Sequence, residues 1–307
     1  MINRELIRLK VLQLVYAYYQ NGDKTVDVAE KELFFSLSKA HDMYLYLLIM
    51  MTDVVGVAER KIETQRSKVQ RMGQGEVPDT KFIENKFILQ LRSNKQLLEF
   101  REKQKKNWDG EDAFLRSLYK KITESDIYGA YMAQESTTYA EDRELWRKLY
   151  KTFFCNNEEI DSAFEELSLY WNDDKMVVDS FVLKTIKRFD ESNGADQELL
   201  PDFDSDEDRE FASKLFRTTL TQSDTYRTLI RENSKNWEFN RLALMDVIIM
   251  QIALAEILNF PSIPLNVSFN EYLDIAKLYS TPHSASYING MLDHIVKKLK
   301  QENRLFK

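Results

Sequence analysis

Glycine and proline are scarce in this sequence, with 8 and 5 of them among 307 residues. Tight turns depend on these two residue types, and strand-rich folds need many such turns. No segment alternates between apolar and polar residues at the period of two that marks a half-buried strand. These absences predict an all-α fold in which long helices are joined by few loops.

Cysteine and histidine are also rare. Cys155 is the one cysteine, which excludes an internal disulfide and a cysteine-based zinc site. The three histidines, His41, His283 and His294, are far apart and match no metal-binding spacing. The sequence has no phosphate-binding loop, and GQG at 73–75 lacks the context of a nucleotide-binding motif. We therefore expect no enzymatic activity, no metal and no cofactor.

The sequence also lacks a signal peptide and a long apolar run. Its first ten residues, MINRELIRLK, include charges where a signal peptide would be apolar. The longest apolar run, YLYLLIMM at 44–51, is far shorter than the ~20 residues that span a bilayer. These features predict a soluble cytoplasmic protein with no membrane partner.

Charge is distributed unevenly along the chain. The formal net charge is −7, yet residues 66–106 hold 11 basic and 5 acidic side chains, and residues 190–210 hold 10 acidic side chains and one arginine. The basic stretch either extends an RNA-binding surface or is an ordinary lysine-rich helix surface. The acidic stretch is the best candidate for a linker.

Helical periodicity locates the main elements. Asn3 is the expected N-cap of a first helix that ends near Gln20, and a second long helix is expected over 26–67. One or two basic helices are expected over 81–106, between breaks at 71–79 and 107–112.

An internal repeat is present in the second half of the chain. Residues 142–186 align without a gap on residues 208–252, and the alignment pairs Trp171 with Trp237. Two tryptophans in register favour duplication of a three-helix segment. The alternative is that amphipathic helices align easily with one another.

The C-terminal third contains several motifs in a specific order. An apolar helix is followed by Pro261 and Pro264, then by an amphipathic helix, the polar loop 280–286 and a last helix. This order resembles the NusB family of bacterial transcription antitermination factors. The matching motifs are RLAL at 241–244, IALAE at 252–256, NE at 270–271, AK at 276–277, YINGMLD at 287–293, and Arg8, Gln13 and Tyr16 in the first helix.

The resemblance implies a protein built from two packed helical bundles. Members of the family bind the boxA element of ribosomal RNA transcripts together with NusE, a small-subunit ribosomal protein, and help RNA polymerase to resist termination. The RNA-binding residues that the resemblance implies are Arg4, Arg8, Lys10, Gln13, Tyr16, Lys277, Ser280, His283, Ser284, Ser286 and Tyr287. The implied partner-binding residues are Gln251, Ala255 and Glu256.

The chemistry of the loop agrees with this expectation. Tyr279, His283 and Tyr287 offer rings for base stacking, and the serines offer hydroxyls for base edges and 2′-hydroxyls. A second interpretation is that a serine hydroxyl of the loop caps the last helix, and the two roles are compatible.

The sequence departs from the family in length and in charge. Residues 1–20 and 206–307 are assigned to a NusB-like domain, and residues 21–205 to a helical insertion that contains the first copy of the repeat. Gln251 replaces a common arginine, Ala255 replaces a common tyrosine, and the first helix has fewer arginines than is usual. The alternative function is therefore a protein-interaction module of NusB fold that has lost RNA binding. Monomer and dimer remain equally open.

Overall fold

The computed structural model describes residues 1–22, 24–73, 75–104, 112–168, 171, 174–203, 205–234, 242–281 and 283–307. Within these ranges the regular structure is helical, and one isolated bridge between Ile2 and Phe203 is the only β pairing. The all-α prediction is therefore confirmed. The α-helices of the described residues are α1 (Arg4–Asn21), α2 (Val26–Met72), α3 (Lys86–Arg92), α4 (Lys95–Lys103), α5 (Asp112–Thr123), α6 (Asp126–Met132), α7 (Tyr139–Leu149), α8 (Glu158–Leu167), α9 (Lys175–Arg188), α10 (Asp206–Thr221), α11 (Ser223–Asn233), α12 (Leu244–Asn259), α13 (Leu265–Tyr279) and α14 (Ser284–Gln301).

Local signals fix the ends of α1 as expected. The side chain of Asn3 accepts a hydrogen bond from the backbone N–H of Leu6, which satisfies one of the free donors of the first turn. Gly22 ends the helix in the left-handed conformation, with φ of 65°, where a residue without Cβ is favoured. The predicted boundaries of this helix are correct to one residue.

Helix α2 is five residues longer than predicted and reaches Met72. By length and composition it could cross a membrane, and 78% of its most apolar 18-residue window is buried. A mostly buried apolar helix is typical of the core of a soluble protein. The basic stretch after it forms α3 and α4, as predicted, whereas residues 107–111 of the expected break lie outside the described residues.

The chain separates into two compact units. The first unit contains Met1 and residues 39–202, and the second contains residues 2–38 and 203–307. The sequence prediction placed the boundaries at 20 and 205. The start of α2 belongs with the C-terminal helices because Glu30 accepts a hydrogen bond from Nε of Arg217 on α10, at 2.9 Å.

The first unit has an aromatic core between α5, α6 and α7. The ring of Phe82 stacks on Trp146 with centroids 5.6 Å apart, and the edge of Tyr128 meets it at 5.2 Å. The first unit also contains a buried polar cluster. Asp179 accepts hydrogen bonds there from Tyr150 at 2.6 Å and from Lys175 at 2.8 Å. Burial raises the pKa of Asp179, and Lys175 opposes that rise.

The helices of the second repeat segment occur in the same order as those of the first, about 66 residues further along the chain. Helix α7 and a π-helical turn (Tyr150–Phe154) correspond to α10, α8 corresponds to α11, and α9 corresponds to α12. When the first segment is shifted by 66 residues, the ends of its helices agree with those of the second segment to within about five residues. Trp237 and Arg241 lie outside the described residues, so duplication remains a prediction.

Two asparagines of the first unit cap helices in contrasting surroundings. Asn85 is 1% exposed, caps α3, and donates to the hydroxyl of Tyr131 and the carbonyl of Asp142, both at 3.2 Å. Asn157 caps α8 at a half-buried position.

We expect Asn85→Ala to destabilise the protein more than Asn157→Ala. Asn157→Ala removes a cap at a half-buried position and costs about 1 kcal/mol. Asn85→Ala removes a cap together with buried hydrogen bonds and costs about 3 kcal/mol. Urea unfolding followed by circular dichroism measures both changes in the free energy of unfolding. Equal losses for the two variants would show that burial of the Asn85 network contributes nothing.

Candidate functional site

Helix α12 is the central helix of the second unit. Every residue from Asp246 to Ile257 is buried, and α1, α10, α11, α13 and α14 all pack against it. A helix surrounded in this way supports a binding surface and does not itself form one, since none of its side chains reaches solvent along this stretch.

A buried ion pair joins α1 to α12. Nε of Arg8 donates to Oε2 of Glu256 at 2.8 Å and Nη2 donates to Oε1 at 3.0 Å, which is a bidentate arrangement. The two side chains are 3% and 0% exposed. Burial is the largest single influence and opposes the charge of Arg8, but the hydrogen bonds to Glu256 together with the charges of Tyr272, Glu256 and Glu271 outweigh it, so the pKa of Arg8 is raised above its ordinary value.

Helix α13 completes this cluster. Ser268 and Tyr272 donate their hydroxyl hydrogens to Glu256 at 2.7 and 2.9 Å, and Glu271 lies 3.1 Å from Nη1 of Arg8. Burial, and next the charge of Glu256, raise the pKa of Tyr272 well above its usual value, so its hydroxyl stays protonated and keeps donating. The cluster holds three helices together through one carboxylate.

This geometry corrects two predicted roles. Arg8 and Lys10 are 3% and 1% exposed, so they do not form the basic RNA-facing surface expected of them. Glu256, predicted to bind a partner, is the buried acceptor of the ion pair. The physical reason is tertiary packing: with α1 against α12 the guanidinium of Arg8 is removed from water, and its buried charge is tolerated because the carboxylate of Glu256 pairs with it.

The other two predicted partner-binding residues are also internal. Gln251 and Ala255 are fully buried. Nε2 of Gln251 donates to the hydroxyl of Tyr19 at 2.8 Å and to the carbonyl of Thr219 at 2.7 Å, while its Oε1 accepts from Arg227 at 3.1 Å. These side chains join α1, α10 and α11 and present no docking surface.

The polar loop before α14 is fixed by a buried carboxylate. Asp246, in the first turn of α12 and 6% exposed, accepts hydrogen bonds from the hydroxyls of Ser280 and Ser284, the latter at 2.9 Å. The hydroxyls of Thr281 and Ser284 are 2.8 Å apart. The N-cap of α14 is His283, whose side chain makes no capping hydrogen bond. The prediction that a serine of this loop caps the last helix is therefore wrong, because the serines bond to Asp246 instead.

Residues from Ser284 onward form the first turn of α14, so the predicted loop 280–286 ends earlier than expected, and we keep the name loop for the polar segment 280–287. His283 and Ser286 are exposed, and Tyr287 is half-buried. Ser280 and Ser284 were also predicted to bind RNA. Their hydroxyls instead donate hydrogen bonds to Asp246 and thereby position the loop. Pro282 lies outside the described residues.

The middle of α1 lies beside the C-terminal end of α13. Nε2 of Gln13 donates to the hydroxyl of Tyr279 at 3.4 Å, and Tyr16, one turn further along α1, is 37% exposed. Lys277 is exposed on α13, where its ammonium group lies 2.7 Å from Asp274. The structure therefore brings Gln13 to the end of the helix that leads into the loop and carries Lys277, while Tyr16 lies on α1 one turn beyond Gln13.

Arg4 lies away from this cluster. Its Nε donates to Asp208 at 3.2 Å, and its guanidinium lies 5.1 Å from the ring centre of Phe211. Twelve residues separate Arg4 from Tyr16, which is roughly 18 Å along the helix. Arg4 therefore belongs to a different part of the surface from the loop.

Nothing in the described ranges groups three or more potential metal ligands. Cys155 is half-buried, and burial followed by the charge of Asp179 raises its pKa to about 11. The thiol is therefore protonated near neutral pH and is a poor nucleophile.

Comparison with known proteins identifies the family. The model of the NusB family matches residues 180–297. The transcription antitermination protein NusB of Salinibacter ruber is 38% identical over 132 residues, which are 41% of this chain and 82% of that protein. The chain belongs to the NusB family.

Other NusB relatives cover smaller parts. Those of Koribacter versatilis and Chloroherpeton thalassium are each 36% identical over 99 residues, or 32% of this chain, and the match covers 68% and 47% of their own lengths. No solved structure matches the chain. The family match includes the loop and Lys277, whereas α1 and most of the first unit lie outside the matched residues.

Asp246 and Glu271 belong to the polar contacts beneath the candidate site, and the sequence prediction did not single them out. Asp246 is an acidic residue inside the apolar run LALMDVIIMQ, and a charge in such a run signals a buried partner. Glu271 stands in the NE motif, but only the packing of α13 against α1 places it next to Arg8.

We expect Glu256→Gln to destabilise the second unit strongly. Removing the carboxylate charge leaves the buried guanidinium of Arg8 with a weaker partner, which costs about 3–5 kcal/mol. Native-state hydrogen exchange of α1 and α12 measures the loss. Asp293→Asn, which removes the exposed partner of Lys297, costs less than about 1 kcal/mol and serves as the control. Similar losses for both variants would contradict a structural role for the buried pair.

We expect Asp246→Ala to loosen the loop without unfolding the unit. Loss of hydrogen bonds to a charged acceptor costs about 1.5–3 kcal/mol, so amide exchange in residues 280–286 should accelerate tenfold or more. Asp274→Ala removes an exposed carboxylate on the preceding helix and should leave that exchange unchanged. Unchanged exchange in Asp246→Ala would show that the loop is held by other contacts.

Proposed function

We propose that this protein is a transcription antitermination factor that binds boxA-like single-stranded RNA together with NusE, as part of a cytoplasmic RNA polymerase antitermination complex. The supporting observation is the loop 280–287, which lies in the family-matched region and is anchored by Asp246 with His283 and Ser286 facing solvent. It acts by binding and has no catalytic step.

The exposed groups of this region suit unstacked RNA. The rings of Tyr16, His283 and Tyr287 provide stacking surfaces, and the hydroxyl of Ser286 can bond to base edges or a 2′-hydroxyl. The ammonium group of Lys277 reaches solvent close to the loop and can contact a phosphate. A loop that is ordered before binding loses less entropy on meeting RNA.

The burial of Arg8 and Lys10 supports a second candidate function. Because both are internal and Arg4 pairs with Asp208, α1 presents little basic surface. The second candidate is a protein-interaction module that captures NusE without RNA.

Binding of a boxA-like RNA, with and without NusE, distinguishes these functions. We expect Lys277→Gln to weaken RNA binding about fourfold at physiological salt and to lower the salt-dependence slope by about 0.7, the value for one phosphate contact on single-stranded RNA. His283→Ala should also weaken binding, because it removes an exposed ring.

Lys297→Gln is the matched control. Lys297, like Lys277, is an exposed lysine of the second unit with an aspartate 2.7 Å away, but it lies on the far part of α14. Equal effects of the two lysine variants would place the RNA elsewhere. Capture of NusE with no RNA binding at either low or physiological salt would favour the interaction module.

A further inference from the structure

The first unit contains two adjacent cavities along one face of α2. The first has a volume of about 300 Å³ and is lined by Arg60, Arg92 and Arg101, with Asp53 as its one acidic residue. The second has a volume of about 460 Å³ and is lined by four basic side chains and no acidic one among the described residues. These four are Arg60, Lys61, Arg116 and Lys120.

Arg60 lines both cavities, and we name the two together the basic groove. A Cβ atom at Gly56, one turn before Arg60, would lie 3.7 Å from Nη1 of Arg60, which places the guanidinium over the groove. Along α2 the lining extends from Ile49 to Thr64, which is roughly 22 Å of helix. This length exceeds a single phosphate and suits an extended polyanion.

Carboxylates orient two of the arginines without cancelling the charge of the groove. Asp53 is 11% exposed and lies 2.7 Å from Nη1 of Arg101, and Glu59 lies 2.5 Å from Nη1 of Arg92. Six basic side chains therefore line the basic groove against one acidic lining residue, with two glutamates beside it: Glu59 next to Arg92, and Glu124 at 3.8 Å from the ammonium group of Lys120. The clustering is a property of the fold, because α2, α3, α4 and α5 each contribute to it.

Four of the six basic residues are arginines, and this composition favours phosphate as the ligand group. The planar guanidinium bonds to phosphate oxygens in a bidentate manner and is less strongly hydrated than an ammonium group. Among the described residues the ring that lines the basic groove is Tyr119, which is 7% exposed and lies 5.4 Å from the ammonium group of Lys61. The basic groove thus offers charge and little stacking surface, which suits a backbone contact without base recognition.

We propose that the basic groove binds the phosphate backbone of single-stranded RNA and gives this chain a second RNA contact outside its family-matched region. This inference rests on the proposed function in one respect, that the chain works on an RNA transcript. The contact is independent of base sequence and depends on salt, because it arises from neutralising phosphates. It assigns a role to part of the basic stretch that follows α2.

The test uses the full-length protein and two RNA probes. The first is a fluorescent single-stranded homopolymer without a boxA-like sequence, and the second is a short boxA-like oligonucleotide with NusE. We expect Arg60→Gln with Lys120→Gln to weaken homopolymer binding about tenfold at physiological salt and to lower the salt slope by about 1.4, the value for two phosphate contacts.

The control removes the same amount of charge from another face of the same unit. Lys184→Gln with Lys187→Gln changes two exposed lysines of α9 and should leave homopolymer binding unchanged. Circular dichroism melting of both double variants checks that the fold is intact. An equal loss in both double variants would overturn the proposal, because the effect would then be one of net charge.

Two further outcomes separate the proposal from its alternatives. Homopolymer binding that requires the basic groove, with no binding of the boxA-like oligonucleotide, would support the basic groove and contradict the proposed function. BoxA binding that persists while the groove variant binds homopolymer as well as the wild type would contradict only the basic groove. Poly-L-glutamate bound as tightly as the RNA, and lost in the same variant, would identify an acidic-protein site and overturn the proposal.

Discussion

The packing of the second unit depends on one buried negative charge. Glu256 is fully buried, and a carboxylate without compensation there would cost several kcal/mol. Its donors come from two other helices, Arg8 from α1 and Ser268 and Tyr272 from α13. Both helices must therefore lie at hydrogen-bonding distance from α12. This arrangement also brings the middle of α1 next to the C-terminal end of α13, where Gln13 contacts Tyr279.

A second carboxylate of α12, that of Asp246, fixes the loop before α14. Asp246 holds Ser280 and Ser284, which leaves His283 and Ser286 at the exposed side of the loop. The residues that the family motifs suggest thus divide into two groups. Some position the loop from inside, and others face solvent where a ligand can reach them. An internal residue can matter for binding without touching the ligand, because it orders the loop that does.

The first unit differs from the second in its core and in its relation to the family. The family match begins at residue 180, so most of this unit is additional to the part shared with NusB relatives. Its core is aromatic around Phe82 and Trp146, and its buried asparagines combine capping with long-range hydrogen bonds. Six of its cationic groups line the basic groove, where Asp53 pairs with Arg101. The net charge of −7 conceals this local concentration, because the sum over the chain says nothing about position.

The sequence by itself determined the all-α class, the boundaries of α1, the basic helices α3 and α4 and the membership of the family, because these depend on local periodicity, capping and motif order. It did not determine which charged residues reach solvent. Arg4 and Arg8 are one turn apart on α1, yet Arg4 is at the surface and Arg8 is internal. Only the tertiary structure decided this, since the burial of a charge depends on a partner 248 residues away in the chain. The same holds for Asp246 and for the basic groove, whose members come from helices that are separate in sequence.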